Sequence, residues 1–146
     1  MITVNILAGD LESANSQSLL FPLIQNENLI AENGIRMKFY NCEASDLADC
    51  DALFIDSKYF KPYWSDRSDV AINKLHKLSQ DVESIAWFHT GDSAGALGDY
   101  ARSVMPYVKR FFKSQVYRDK SLYLKDFYGN RLYTDYYYKE LSIKDT

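Results

Sequence analysis

The sequence predicts an α/β fold with a mainly parallel β-sheet of four or five strands, on two observations. Apolar runs rich in β-branched and aromatic residues recur along the chain, each followed by a cluster of Gly, Asp, Ser or Asn. Stretches with helical periodicity lie between these runs, an alternation typical of βαβ units. The chain has 146 residues, about the length of one domain. We therefore expect a Rossmann-like three-layer sandwich with helices on both faces of the sheet.

Five apolar runs are candidates for the strands of this sheet. The run at residues 52–56 is apolar on both faces, which favours a central position. The run at 35–41 is mixed in polarity, which favours a place nearer an edge. Residues 2–8 and 84–89 form two further predicted strands. A fifth strand is indicated by Phe111, Phe112, Val116 and Tyr117.

Helices are predicted between these strands. Residues 13–31 form a helix that Pro22 bends, and the pair Asn33-Gly34 ends it because these residues suit the left-handed conformation. Short helical turns are expected at 44–48 and 97–104. The clearest helix has one apolar stripe, formed by Ala71, Leu75, Leu78 and Val82.

The composition excludes several classes of partner. The 17 basic and 20 acidic residues are well mixed and give a net charge of −3, so we expect neither nucleic acid nor an anionic membrane surface as a partner. The first apolar run has no basic region before it and is too short for a signal peptide or a spanning helix. We expect a cytoplasmic protein with no membrane span. Cys42 and Cys50 lack the CxxC spacing of a zinc or redox site, so no metal is expected.

The C-terminal part is unusually rich in tyrosine. Seven of the 12 tyrosines lie between Tyr117 and Tyr138, interleaved with charged residues. Such a segment is too aromatic for a disordered tail and too polar to fill a core unaided. We therefore divide the chain into a Rossmann-like domain at 1–116 and an extension at 117–146. The extension either packs on the domain or leads to a second domain, and it is a candidate surface for homo-oligomer formation.

Polar residues follow three of the predicted strands, where open α/β sheets bind their ligands. They include a histidine for acid–base chemistry or hydrogen bonding, hydroxyl groups, carboxylates and glycines. Each loop also has a simpler interpretation, because glycines permit turns and Asp or Ser caps the next helix. The candidate site residues are Gly9, Asp10, Asp56, Ser57, Lys58, His89, Thr90, Gly91, Asp92 and Ser93.

Two patterns limit the chemistry further. The sequence has no phosphate-binding loop, no dinucleotide fingerprint, no serine hydrolase elbow and no zincin motif, so no cofactor is predicted. A further set of residues at the strand ends consists of Asp10, Glu12, Asp56, Thr90 and either Lys109 or Lys113. This set resembles the phosphoacceptor site of response-regulator receiver domains, in which Asp56 would be phosphorylated. The chain departs from that family because its acidic pair is not adjacent and no Lys-Pro follows the fifth strand.

Five segments carry a broader resemblance, in the same order along the chain. They are CDALFIDSKYF at 50–60, AWFHTGDSAG at 86–95, MPYV at 105–108, RDKSLY at 118–123 and YGNRLYTDYY at 128–137. Together they resemble the N-terminal region of bacterial glycosyltransferases from surface-polysaccharide (LPS and capsule) gene clusters. The chain departs from that family at His89, where members tend to carry Asp, and at Tyr138, where His is common.

The resemblance implies a plan similar to the GT-B glycosyltransferases. In such enzymes the N-terminal half shapes the acceptor pocket, and the C-terminal half holds most of the nucleotide-sugar. The implied partners are therefore a glycan acceptor and a nucleotide-sugar, the latter bound mainly through a further half. Asp92 or His89 would act near the acceptor hydroxyl, and the chain alone would transfer no sugar. A noncatalytic α/β binding module is the third interpretation.

Overall fold

The computed structural model describes residues 1–91 and 99–144, which form a five-stranded, all-parallel sheet. The strands are β1 (Ile2–Leu7), β2 (Ile35–Tyr40), β3 (Ala52–Asp56), β4 (Ile85–His89) and β5 (Arg110–Lys113). Their order in the sheet is β2-β1-β3-β4-β5, so the order reverses between β1 and β3. This confirms the predicted Rossmann-like α/β fold.

Helices connect and follow these strands. They are α1 (Ala14–Gln25), α2 (Glu27–Glu32), α3 (Ser57–Phe60), α4 (Ser68–Asp81), α5 (Asp99–Val104) and α6 (Leu132–Leu141). Short 3-10 helices lie at Lys61–Tyr63, Met105–Tyr107, Lys120–Leu124 and Tyr128–Asn130. Among the described residues, none of the helices has both the length and the apolar character needed to cross a bilayer.

The core has two layers because successive side chains of a strand point to opposite faces of the sheet. On one face, Leu53 and Ile55 of β3 and Trp87 of β4 belong to a buried cluster that includes Leu75 of α4. On the other face, Val4 and Ile6 of β1 form a smaller cluster with Leu20 of α1 and Met37 of β2. These two clusters fix the helices that begin at the carboxyl edge of the sheet.

The fifth strand is shorter than predicted and begins earlier. It spans Arg110–Lys113, which confirms Phe111 and Phe112 as strand residues but not Val116 or Tyr117. The reason is the length of its neighbour. His89, the last residue of β4, pairs with Lys113, so no partner strand continues beyond that point.

The first predicted helix is two helices. Pro22 lies inside α1, and the break falls four residues later at Asn26 rather than at the proline. The Asn26 side chain donates a hydrogen bond of 2.7 Å from Nδ2 to the Pro22 carbonyl. Asparagine side chains that bond nearby backbone groups compete with the helix in this way. As predicted, the second helix ends at Asn33, followed by Gly34 with φ of +83°.

The tyrosine-rich segment folds into a small unit around α6. The ring of Tyr128 stacks on that of Tyr138 with centroids 4.1 Å apart, and the Tyr128 N–H donates to Asp135 Oδ1 at 2.9 Å. The buried Tyr117 is in ring contact with Tyr123, which follows it in the same segment. The outer side chains of α6, including Tyr136, remain exposed.

Candidate functional site

Asp56 joins three loops at the carboxyl edge of the sheet. It is the last residue of β3, and its side chain is fully buried. Its Oδ2 accepts a hydrogen bond from the Gly9 N–H at 3.2 Å, and its Oδ1 accepts from Thr90 Oγ1 at 2.8 Å and from the Lys58 N–H at 3.1 Å. Gly9 follows β1 and Thr90 follows β4, so one carboxylate ties together the ends of three strands.

Gly9 is required at its position by this close approach. A Cβ atom there would lie 2.6 Å from Asp56 Oδ2 and 2.8 Å from the hydroxyl oxygen of Ser16 in α1. Both distances are shorter than van der Waals contact allows. The backbone of the first loop therefore lies directly against the Asp56 carboxylate, and a side chain at position 9 would separate them.

Ser57 and Thr90 strengthen the same junction. The Thr90 N–H donates to Ser57 Oγ at 3.2 Å, and both residues are buried. Because buried polar groups are costly unless they are hydrogen-bonded, this network holds the loops after β3 and β4 in one arrangement. The structure therefore brings together five of the predicted site residues, which are Gly9, Asp56, Ser57, Lys58 and Thr90.

His89 has both ring nitrogens engaged. Its Nδ1 lies 3.2 Å from the backbone nitrogen of Gly91, and its Nε2 lies 2.8 Å from the Tyr100 hydroxyl. A backbone N–H can only donate, so we infer that Nδ1 accepts and that the neutral ring carries its proton on Nε2. Nε2 then donates to the Tyr100 oxygen. In this arrangement His89 orients Tyr100, and the tyrosine keeps its own proton for another acceptor.

The surroundings of His89 favour its neutral form. Burial lowers the pKa of the imidazole, and the ammonium groups of Lys113 and Lys58 lower it further. The Gly91 N–H facing Nδ1 acts in the same direction, because a proton on Nδ1 would face another donor. The role of His89 as a base stays a prediction that would require Gly91 to move away from Nδ1.

A cleft of about 440 Å³ lies beside Tyr100. Its walls come from three places along the chain. They are Trp64, which follows the Lys61–Tyr63 turn after β3, the first turns of α4, and α5, which comes after β4. The rings of Trp64 and Tyr100 stack with centroids 5.0 Å apart and an interplanar angle of 26°. The described residues that line the cleft are Trp64, Ser68, Asp69, Ile72, Asn73, Tyr100 and Ser103.

Two polar side chains of the cleft are available to a ligand. Asp69 and Asn73 are exposed, and neither makes a side-chain hydrogen bond or ion pair within 1–91 and 99–144. They lie four residues apart on α4, a spacing that places side chains next to each other on one helix face. The cleft thus combines two aromatic rings with a carboxylate and an amide.

The remaining predicted site residues, apart from His89, are not part of the Asp56 network or are not among the described residues. Asp10 is exposed, and its Oδ1 accepts a hydrogen bond from the Glu12 N–H at 2.9 Å, which is a local turn. Gly91 lies at the edge of the site, where it contacts His89. Asp92 and Ser93 fall within 92–98, outside the described residues.

In the described part of the chain, no group of three or more His, Cys, Asp or Glu side chains is placed to hold a metal ion.

The two candidate lysines lie at opposite ends of β5. Lys113 lies at its carboxyl end, beside His89. Lys109 lies before the first residue of β5, at the opposite end, and pairs with Glu83 at 3.1 Å.

Sequence reasoning missed the cleft residues Trp64, Asp69, Asn73 and Tyr100. They belong to no motif, and a tryptophan near apolar residues is usually part of a core. The one available signal was the position of Asp69 and Asn73 on the polar side of the helix that follows β3. Comparisons with protein-family models, with curated proteins and with solved structures found no match to this chain.

Proposed function

We propose that this chain is the acceptor-binding half of a glycosyltransferase that acts in the synthesis of a surface polysaccharide. The observation that carries the proposal is the cleft beside Tyr100. Its lining residues belong to segments that follow β3 and β4 along the chain, and open α/β folds usually bind ligands on the side of the sheet where the strands end. Its volume of about 440 Å³ is within the range of small-molecule sites. The sequence resemblance described above supports the same function.

The lining of the cleft suits a sugar. Aromatic rings pack against the apolar faces of pyranose rings. Trp64 and Tyr100 cover one face of each other, so the parts of the two rings that this stacking leaves open would meet the sugar. A carboxylate and an amide accept and donate hydrogen bonds to neighbouring hydroxyl groups, and Asp69 and Asn73 supply these. Tyr100 is held by His89, so an acceptor sugar would meet a preorganised ring.

The proposed reaction divides between two halves of an enzyme. A base would remove the proton of an acceptor hydroxyl as its oxygen attacks the anomeric carbon of a nucleotide-sugar. The bond between that carbon and the phosphate oxygen breaks, and the nucleoside diphosphate leaves. This chain would hold the acceptor, and the other half would hold the donor. Because proximity of donor and acceptor supplies much of the rate enhancement, the chain alone would transfer no sugar.

Sugar binding tests this proposal directly. The labelled chain is titrated with methyl glycosides of glucose, galactose, mannose and N-acetylglucosamine, and backbone amide shifts are followed by NMR. At least one sugar should shift the amides of residues around Trp64, at the start of α4 and in α5. Asn73→Ala should weaken that binding about fivefold, because one hydrogen bond is lost.

A matched variant makes the result specific to the cleft. Gln80→Ala changes an exposed amide at the other end of α4, so it should leave sugar affinity unchanged. If none of the sugars shifts the cleft amides while the chain is folded, the acceptor-binding proposal is wrong. Binding that Asn73→Ala and Gln80→Ala weaken equally would place the sugar elsewhere and would also contradict it.

One observation favours the receiver-like phosphoacceptor as a second candidate. The strand order β2-β1-β3-β4-β5 is that of flavodoxin-like folds, which include response regulators. Asp56, Thr90 and Lys113 follow or end the three strands that such a site uses. Against it, the Asp56 carboxylate is fully buried and accepts three hydrogen bonds, so neither oxygen is open to a phosphoryl group.

Phosphorylation distinguishes the two candidates. The chain is incubated with acetyl phosphate and Mg²⁺, and its mass is measured by intact-protein mass spectrometry. We expect no added phosphate, because a buried carboxylate cannot reach the donor. An added phosphate that Asp56→Asn abolishes and Asp10→Asn leaves in place would favour the receiver-like function.

A further inference from the structure

The cleft beside Tyr100 has a charged lining residue, and what we infer from it about sugar selectivity rests on the proposed acceptor-binding function. Among the described lining residues, Asp69 is the one that carries a formal charge. The nearest basic residue along the chain, Arg67, is engaged elsewhere. Its guanidinium lies 5.1 Å from the centroid of the Tyr63 ring and pairs with Asp66 at 3.8 Å. The described walls therefore place a negative charge in the cleft with no lining cation to offset it.

We infer that the cleft binds a neutral pyranose unit and that Asp69 discriminates against sugars that carry a carboxylate or a phosphate. Two negative groups in one small site repel each other, and each gives up part of its hydration there. A neutral sugar meets no such penalty, and its hydroxyl groups donate to the Asp69 carboxylate. Hydrogen bonds to a charged acceptor are stronger than neutral ones, so the same side chain attracts one class of ligand and repels the other.

The geometry of α4 supports contact with two adjacent hydroxyl groups. Asp69 and Asn73 are four residues apart, so their Cβ atoms lie about 5–6 Å from each other on one helix face. Ser68 and Ile72 have the same spacing beside them and also line the cleft. The face therefore presents a polar pair, suited to hydroxyls, next to an apolar side chain suited to a ring face.

The experiment compares matched sugars that differ in one group. Methyl β-glucoside and methyl β-glucuronide have the same ring, and the second has a carboxylate in place of the hydroxymethyl group. The same comparison is made with galactoside and galacturonide. In each pair whose neutral sugar binds, the acidic sugar should bind at least about fivefold more weakly. This is about the ratio that one close like charge produces in a solvated site. Added salt should reduce this ratio, because it screens the two charges.

The variant Asp69→Asn assigns the effect to its residue. It keeps the shape and hydrogen-bonding capacity of the side chain and removes its charge, so the ratio between acid and neutral sugar should fall toward one. Asp81→Asn, a matched change at the other end of α4, should leave the ratio as it is. Circular dichroism verifies that both variants fold.

The outcomes separate this inference from the function on which it rests. If no sugar of either class binds, the acceptor-binding proposal fails. If neutral and acidic sugars bind equally, or if Asp69→Asn leaves the ratio unchanged, the acceptor-binding proposal stands and the role of Asp69 is wrong. Tighter binding of the acidic member would overturn the inference and would indicate a cation in the cleft.

Discussion

Thr90 donates a hydrogen bond of 2.8 Å from Oγ1 to Asp56 Oδ1, and this bond joins the carboxyl ends of two adjacent parallel strands. The same carboxylate accepts the Gly9 N–H from the loop after a third strand. The loops around the switch in strand order are therefore fixed from inside the protein. The cleft beside Tyr100 is lined by segments that follow two of these strands along the chain, and the residues of the Asp56 network are not among its lining residues.

Replacing Asp56 with Asn should destabilise the fold. The amide keeps one oxygen, but its NH₂ group would face either the Gly9 N–H or the donors at the other position. A buried donor without an acceptor costs about 1–3 kcal/mol, so we expect a loss of about that size in the free energy of unfolding. Urea denaturation measures it.

The control for Asp56 is Asp10→Asn. Asp10 is exposed and accepts one local hydrogen bond from the Glu12 N–H, which an asparagine oxygen can also accept. Its change in the free energy of unfolding should be below about 0.5 kcal/mol. Equal costs for the two variants would mean that the buried network does not hold the loops.

Gly9→Ala should destabilise the fold because of steric contact. The new Cβ would lie 2.6 Å from Asp56 Oδ2, so either the loop or the carboxylate must shift. We expect a cost of about 1–3 kcal/mol in urea denaturation, typical of overpacking. The new methyl group would also lie 2.5 Å from Lys58 Cβ and 2.8 Å from Ser16 Oγ, so removing the Asp56 carboxylate would relieve only one of three close contacts. A Gly9→Ala variant as stable as the wild type would contradict the steric explanation.

Most of the fold followed from the sequence because β1, β3 and β4 are short apolar runs bounded by turn residues and β2 is a run of mixed polarity that follows the turn pair Asn33-Gly34. The central position of residues 52–56 was also predictable from the sequence, since both faces of that strand are apolar. The end of the fifth strand was not predictable. Val116 and Tyr117 have strand-forming character, but pairing stops where β4 ends, and no local pattern reports the length of a neighbour. The break at Asn26 coincides with a hydrogen bond from its side chain to the Pro22 carbonyl, which the sequence pattern did not indicate.

The site was predictable in part for a similar reason. Residues that end strands share one edge of a parallel sheet, so Gly9, Asp56 and Thr90 could be expected near each other. Their burial could not, because it depends on how tightly the loops close over the carboxylate. The stacking of the Trp64 and Tyr100 rings was also not predictable from the sequence, since it arises from the packing of segments that follow different strands.

The lowered pKa of His89 predicts a pH dependence of stability. Burial and the nearby Lys113 and Lys58 hold the folded-state pKa below the unfolded value of about 6.5. Between these two values the unfolded chain binds more protons than the folded one, so the free energy of unfolding falls as the pH decreases through that window. Well above the unfolded pKa of about 6.5 the ring is neutral in both states, and this histidine then contributes no pH dependence.

A variant isolates that contribution. His89→Phe keeps a ring of similar size and removes the titrating group, so its free energy of unfolding should fall less than that of the wild type between about pH 7.5 and pH 5.5. His76→Phe changes the exposed histidine on α4 and should retain the wild-type pH dependence through His89. The same slope for wild type and His89→Phe would mean that His89 is not the group responsible.

Self-association through the tyrosine-rich segment stays a prediction, and the structure sharpens its test. Tyr133, Tyr136 and Tyr137 are about half exposed on α6, whereas Tyr138 stacks on Tyr128 and supports the local fold. If the exposed rings form a contact between copies, changing these three tyrosines to Ser should lower the sedimentation coefficient at high concentration, because apolar area is removed from the interface.

The two kinds of tyrosine give that test its control. Tyr138→Ser loses the stacking against Tyr128, where the centroids are 4.1 Å apart, so it should destabilise the α6 unit. The triple change of Tyr133, Tyr136 and Tyr137 removes rings that are about half exposed, so for each ring it should lower the free energy of unfolding less than Tyr138→Ser does. A wild-type chain that remains monomeric at the highest concentration reached would contradict self-association. In that case the exposed rings of α6 would be surface residues of a monomer, or would be covered by a different protein or domain.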